Sequence, residues 1–439
     1  MRLSCTISNL CDNSIVRDGR SYAIRLLAFQ SGSGPNLHML GYRKKSFARA
    51  HELLGTLRSN LEDMDTLKEL QQLIAREIVR TEKKGREVRG NLKAVQHNGG
   101  AASQKRAGSL KSRLESIRQV AYIWRCFGDA IAFSYMDKFA LKQCFYSAHS
   151  TNPKQGAGFL SDKLGLPAEI KFVEMALQQN VPAILTDITN TIRYGDVCLM
   201  GAPDPHLVEV KSSRNLDRRG KRQQRELEGL LQLFQTDKAD NWRGMGPVRR
   251  IAFERQERNH IDQLQSSIAT GLKNGHSVSQ PEPGLYYIVL ADGAPPVPEV
   301  MKSLSFTSPW FFFLNSMKNE RSWSPYLPFT LSIKNCDHLW AFIRGEIFIL
   351  IIVDFEELAN VARAAGAVAN VDLNDKEYPL QITIPHMEAA AKVSSHILTR
   401  IGLDFVSPSW LIKSSIESLK KAADIVTSDL AEVPGEAKV

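Results

Sequence analysis

The sequence predicts an α/β protein whose central part is a mixed sheet flanked by helices, with a mainly helical amino-terminal region and an α/β carboxy-terminal region. Three observations predict it. Residues 46–95 are rich in Leu, Glu, Lys, Arg and Ala and contain no proline, the composition of long helices. From residue 166 onward, short apolar runs alternate with helical patterns, as they do when a sheet is covered by helices. The chain is 439 residues long, 43% hydrophobic and 23% charged. That is ordinary globular composition, with enough apolar surface for a sizeable core and enough length for two or three domains. The expected divisions are 1–150, 151–295 and 296–439.

In order along the chain, the first helical stretch ends at HNGGAASQKRAGS (97–109), which reads as a flexible break. A second helical stretch runs from Ser109 to about Lys142, and STNPKQGAGF (150–159) is a loop. Pro167 opens a helix, PAEIKFVEMALQQN, as proline does in a first helical turn. AILTDIT, YGDVCLM and HLVEVKS are three strand candidates. In KRQQRELEGLLQLFQ, Leu227, Leu230, Leu231 and Phe234 recur at i, i+3, i+4 and i+7, marking one face of a helix. More helix is expected from about 253 to 272, then a polar loop (KNGHSVSQPEPG) and the strand LYYIVLAD. Beyond residue 295 come the aromatic run PWFFF, a strand at 347–353, and helices near 355–365 and 386–425.

Several classes are excluded or disfavoured. The longest apolar run, Ile347 to Val353, is far short of the roughly 20 residues of a membrane span, and the amino terminus shows no apolar core of a signal peptide. The six cysteines, Cys5, Cys11, Cys126, Cys144, Cys198 and Cys336, form no CxxC pair. They argue against a disulfide framework and a structural zinc site and fit a reducing cytosol. The glycine-containing stretches 31–35 and 363–370 lack the P-loop lysine, and Ser212 and Ser213 have no histidine near them in sequence. Asp354, Glu356 and Glu357 are explained by a helix amino terminus, and Trp124, Trp310, Trp323 and Trp340 by core packing. A cytoplasmic protein without a membrane partner is expected; homo-oligomerisation stays open.

Charge points to a polyanion. Lys and Arg outnumber Asp and Glu by 56 to 47, a net charge of +9, which bears on association and not on fold. Two segments concentrate it. Residues 80–118 hold eleven basic residues against three acids, either a solvated helix face or a phosphate-contacting surface. Residues 211–225, KSSRNLDRRGKRQQR, hold seven basic residues and one acid.

The second basic segment follows an unusual pair of apolar runs. Residues 193–213 read RYGDVCLMGAPDPHLVEVKSS, and an ionisable group in a buried strand is costly unless paired or metal-bound. In HLVEVKS the alternation of a strand sets Leu207, Glu209 and Lys211 on one face. The short, turn-rich GAPDP predicts an antiparallel hairpin with YGDVCLM. With 201–205 as the loop, facing positions sum to about 406, so Asp196 stands opposite residue 210, and a shift of one places it on the face of Glu209 and Lys211. Two carboxylates held together suit a hard cation such as Mg²⁺. Such a cation polarises a phosphoryl oxygen and lowers the pKa of a bound water.

Asp196, about a dozen residues, then Glu209-Val210-Lys211, after a helix and before a helix, resembles the PD-(D/E)xK nuclease superfamily. The resemblance spans about 165–295 and implies a restriction-endonuclease-like core. It implies that Asp196, Glu209 and the main chain of Val210 bind Mg²⁺ or Mn²⁺, and that Lys211 assists the attacking water. Gly195 stands where the superfamily label has proline. Members also carry a glutamate on the preceding helix. Ile170, Val173 and Leu177 mark that helix's core-facing stripe, and Glu174 on the same stripe is the expected fourth residue, ahead of Glu169. A glutamine or basic residue often comes from the following helix; Gln224 is the choice here, with Gln223 and Arg222 beside it. Arg214, Arg218, Arg219, Lys221, Arg222 and Arg225 are the expected contacts to a sugar–phosphate backbone. The implied activity is a metal-dependent nuclease, with DNA favoured over RNA, of a kind often found in bacterial anti-phage defence. The other reading is a non-catalytic nucleic-acid-binding or scaffold protein that keeps the fold.

Overall fold

The computed structural model describes residues 43–97, 100–210 and 218–431. They form a mixed α/β protein with a helical amino-terminal region and several small sheets, arranged as two compact units: 43–235 with 315–348, and 236–314 with 349–431.

The first unit begins with helices α1 (Lys44–Ser59), α2 (Met64–His97), α3 (Ala101–Tyr135) and α4 (Lys138–Gln143). α1 and α2 are separated where Asp63 caps the next helix, its carboxylate accepting from the Thr66 amide at 2.9 Å and the Thr66 hydroxyl at 2.7 Å. The break expected over 97–109 is narrower than its composition suggests. Gly100, at φ +88°, starts the turn, and residues 101–109 already belong to α3. Ala, Ser, Gln, Lys and Arg all tolerate a helix, and Leu110 and Leu114 pack on Val88 and Ile117 to hold this one. α2 and α3 lie side by side. Phe47 of α1 meets Phe127 edge-on at 5.3 Å and lies 5.0 Å from the ring of Trp340. Trp124, Trp310, Trp323 and Trp340 are all buried, so none offers a stacking face to a base.

Helix α5 (Leu166–Gln178) carries Pro167 in its first turn. Three short strands follow, β1 (Ala183–Leu185), β2 (Val197–Leu199) and β3 (His206–Val208), paired antiparallel in that order. The run AILTDIT is strand only over its first half. At Thr186–Ile188 it coils into a 3₁₀ turn, which carries Asp187 off the strand. Gln71 of α2 closes the outer edge of β1: its amide nitrogen donates to the Ala183 carbonyl at 2.8 Å and its oxygen accepts from Leu185 N at 3.2 Å. An otherwise open strand edge is thereby satisfied. Helix α6 (Arg218–Thr236) buries Leu227, Leu230, Leu233 and Phe234 and leaves Leu231 half-buried, close to the stripe read from the sequence.

The second unit contains a four-stranded sheet ordered 276–282, 285–291, 347–354, 309–313 and an antiparallel sheet of 368–371, 380–383 and 390–393. Ile347–Asp354 is buried along its whole length, which accounts for the longest apolar run. Three expectations fail here. Residues 276–282 form a strand paired with 285–291 rather than a loop, because ladder bonds to a strongly apolar neighbour outweigh a polar composition. The helix expected from 253 begins at Ile261. Residues 390–393 form a strand before the last two helices. Among the described residues no helix is long and apolar enough to cross a membrane.

Candidate functional site

Asp196 owes its position to the residue before it. Gly195 has φ +68°, and a Cβ there would lie 2.9 Å from the Val208 carbonyl oxygen. Only glycine combines that backbone with that approach at low cost. The Asp196 amide consequently donates to Val208 O at 2.9 Å, and its carbonyl accepts from Thr186 N at 3.0 Å. We expect Gly195→Ala to destabilise the protein by about 1–3 kcal/mol and to move Asp196, read as a lower melting temperature.

The β2–β3 register pairs Val197 with Val208, Cys198 with Leu207 and Leu199 with His206. Facing positions therefore sum to 405, one less than the turn-rich GAPDP suggests, because Met200 also lies outside the strands, its amide bonded to Pro182 O. The ladder ends there: the Asp196 amide donates to the carbonyl of Val208, the residue that pairs with Val197, and does not carry the register on to Glu209. The Asp196 carboxylate is fixed at both ends: Oδ2 accepts from the Val210 amide at 3.0 Å, and Oδ1 lies 3.0 Å from Lys163 Nζ.

Lys163 is the centre of the site. Its ammonium also lies 2.7 Å from Asp187 Oδ2 and 2.9 Å from Glu169 Oε1, so three carboxylates from three elements converge on one nitrogen. Burial opposes the charge on Lys163, but the bonds and field of Asp187, with Glu169 and Asp196, raise its pKa above the ordinary value. Glu169, 2% exposed, is pushed up by burial and by Asp196 and Asp187 despite the partly offsetting lysine. Its second oxygen, Oε2, is buried with no hydrogen-bond partner.

Glu169, and not Glu174, is the helix acid that reaches the site. The buried stripe of α5 is Glu169, Val173 and Leu177, four residues apart each time, whereas Ile170 is exposed. That phase rotates Glu174 away from the sheet, where it pairs with Lys68 of α2 at 2.9 Å.

A scaffold of buried charges holds the loop that carries Lys163. Glu82 of α2 accepts from the Ser161 amide at 2.8 Å and from Arg125 of α3 at 3.0 Å. Arg125 in turn donates to the carbonyls of Asp187 at 3.0 Å and Gly158 at 3.1 Å, and the Gly158 amide donates to Asp187 Oδ1 at 3.3 Å. The 3₁₀ turn rests directly on α3: a Cβ on Gly128 would fall 2.0 Å from Ile188 O. Next to it, buried Asp129 accepts from Asn190 N, Asn190 Nδ2 and Thr191 N, each at 2.8 Å. Burial raises the Asp129 carboxyl to about 6 even so.

Around Glu209 lies a second group. Lys154 pairs with Glu226 of α6 at 3.2 Å and sits 3.4 Å over the Tyr194 ring. Burial lowers its pKa, while Glu226 and Glu209 support its charge. Gln224 is turned along its own helix, its amide donating to Glu228 at 2.8 Å. It is thus engaged within α6 and not with the acids. Lys221, Arg222 and Arg225 are exposed on α6, and Arg218 and Arg219 open that helix. Lys211 and Arg214 lie outside the described residues.

No protein-family model, curated protein or solved structure matches this chain.

The converging donors are carboxylate oxygens with no sulfur or imidazole among them, the set a hard divalent cation takes. The unpartnered Glu169 oxygen fits that chemistry. Among the described residues, however, no group of three or more His, Cys, Asp or Glu side chains stands ready to hold a metal ion. The three acids that do meet are spaced around an ammonium. Sequence reading missed Asp187 and Lys163. Asp187 carries the same signal that exposed Asp196, an acid inside an apolar run. Lys163 sits in a loop, where no periodicity marks it.

Proposed function

We propose that the chain is a metal-dependent nuclease that hydrolyses phosphodiester bonds, in DNA before RNA. The observation that carries this reading is Asp196, set by Gly195 and bonded to the Val210 amide, with buried Glu169 brought to the same ammonium from the preceding helix. The order helix, antiparallel three-strand meander, helix, and the Glu209-Val210-Lys211 spacing support the same reading.

In this account Glu169, Asp187 and Asp196 would hold Mg²⁺ or Mn²⁺, with Glu209 and the main chain of Val210 as further oxygen donors. Bound there, the ion supplies charge neutralisation at the phosphoryl oxygen and an acidified water. The chain's own residues do the rest. Val210 N–H and the 3₁₀ turn orient two of the acids, and Lys211 orients the attacking water. Lys221, Arg222 and Arg225 of α6, with Arg214, Arg218 and Arg219 around its start, draw the phosphate backbone across the site.

The test is the full chain incubated with plasmid, linear DNA and RNA, with Mg²⁺, with Mn²⁺ and with EDTA. Cleavage that EDTA abolishes, and that Lys211→Ala lowers while binding is kept, is expected. Cleavage undiminished in Lys211→Ala moves the chemistry elsewhere, and binding without cleavage under any metal leaves the non-catalytic reading. One observation favours that second reading: the acids are already ion-paired to Lys163, as in a purely structural ion-pair network.

A further inference from the structure

We propose that Lys163 is an internal counter-ion, gathering the Glu169, Asp187 and Asp196 carboxylates in the metal-free protein, and that a divalent cation displaces it. The inference rests on the metal site proposed above and adds its regulation.

The geometry is that of an ammonium used to capacity. Lysine has three donors, and Lys163 Nζ has three carboxylate oxygens at 2.7, 2.9 and 3.0 Å. Each comes from a different element: the 3₁₀ turn, helix α5 and the entrance to β2. An ammonium is also too large a centre for a bound metal ion. Mg²⁺ takes oxygen at about 2.0–2.1 Å, so the acids at their present spacing are set for nitrogen and must draw together around an ion.

The charge count leaves room for a divalent ion. Three carboxylates and one ammonium carry two uncompensated negative charges, and Glu169 Oε2 stays buried without a partner. The acids are held by bonds that do not involve the lysine, Asp196 by Val210 N and Asp187 by Gly158 N. Glu169 is fixed by its place in a helix. Lys163 stands in a loop outside helix and strand and is partly exposed, so its four-carbon stem can swing the ammonium into solvent without carrying the acids with it. A lysine so released remains beside the reacting phosphate, free to meet its charge. Metal loading is thereby coupled to the freeing of a cation at the site.

Two measurements on the full-length protein test this without reading activity. In the wild type, trace acetylation of Lys163, followed by peptide mass spectrometry, is expected to be slow without metal and to rise at least several-fold with saturating Mn²⁺, while other surface lysines do not change. In Lys163→Gln, calorimetric Mn²⁺ binding is expected to tighten at least about tenfold, since a competing charge within hydrogen-bond distance of every acid is gone. Lys163 labelling that stays level or falls with Mn²⁺ overturns the proposal, as does an equal or weaker affinity in Lys163→Gln, or no Mn²⁺ binding by either protein. The wild-type measurement stands if the variant fails to fold. Both effects in a protein that cuts no nucleic acid would sink the nuclease reading and leave the counter-ion. Metal-dependent cleavage with Lys163 unresponsive would do the reverse.

Discussion

Asp196→Asn is expected to lower cleavage at least about 10³-fold, roughly 4 kcal/mol of transition-state stabilisation, while nucleic-acid binding persists. The substitution is chosen to separate chemistry from folding. The asparagine oxygen can still accept from Val210 N–H, so the link at 3.0 Å between Asp196 and the chain just beyond β3 survives. What is lost is the negative charge and the tie to Lys163 at 3.0 Å. Single-turnover cleavage and fluorescence anisotropy on the same oligonucleotide read the two quantities. An Asp196→Asn protein that cuts at the wild-type rate removes Asp196 from the site. One that neither binds nor melts cooperatively makes Asp196 structural.

Glu82→Ala is expected to have the largest effect on stability, about 3–5 kcal/mol, because it leaves Arg125, in a buried setting, without the carboxylate it pairs with among the described residues. It also removes the acceptor of the Ser161 amide, and so loosens the loop that presents Lys163. The expected result is a fall in melting temperature together with weaker Mn²⁺ binding, although Glu82 touches none of the three clustered acids in the bonds described. Glu82→Gln keeps an oxygen for Ser161 N–H and should recover part of the loss. A Glu82→Ala protein as stable as the wild type would show that the α2–α3 pair does not hold the site.

How much of this was legible in the sequence depended on what kind of rule each residue obeyed. The order of helix, hairpin and helix was readable because periodicity and turn residues mark it, and Asp196 because an acid in an apolar run is anomalous. An apolar stripe that includes Ile170 points to Glu174; with Ile170 exposed, the stripe is four-spaced and begins at Glu169. The hairpin register was off by one, since Met200 bonds to Pro182 and drops out of the ladder. Gln224 comes from the following helix as expected, but a partner one turn away, Glu228, takes its amide. Lys163, Arg125 and Glu82 were not legible as a set. Long-range ion pairs across 24 to 43 residues leave no local pattern, and they exist only once the helices and the sheet have been brought together.

The most direct measurement of the central claim is anomalous diffraction from crystals of the full chain grown with Mn²⁺. The account predicts one strong peak bounded by the Asp196, Glu169 and Asp187 carboxylates, with the Lys163 ammonium withdrawn from its place. A peak elsewhere, or Lys163 still bonded to all three acids at saturating Mn²⁺, would contradict it.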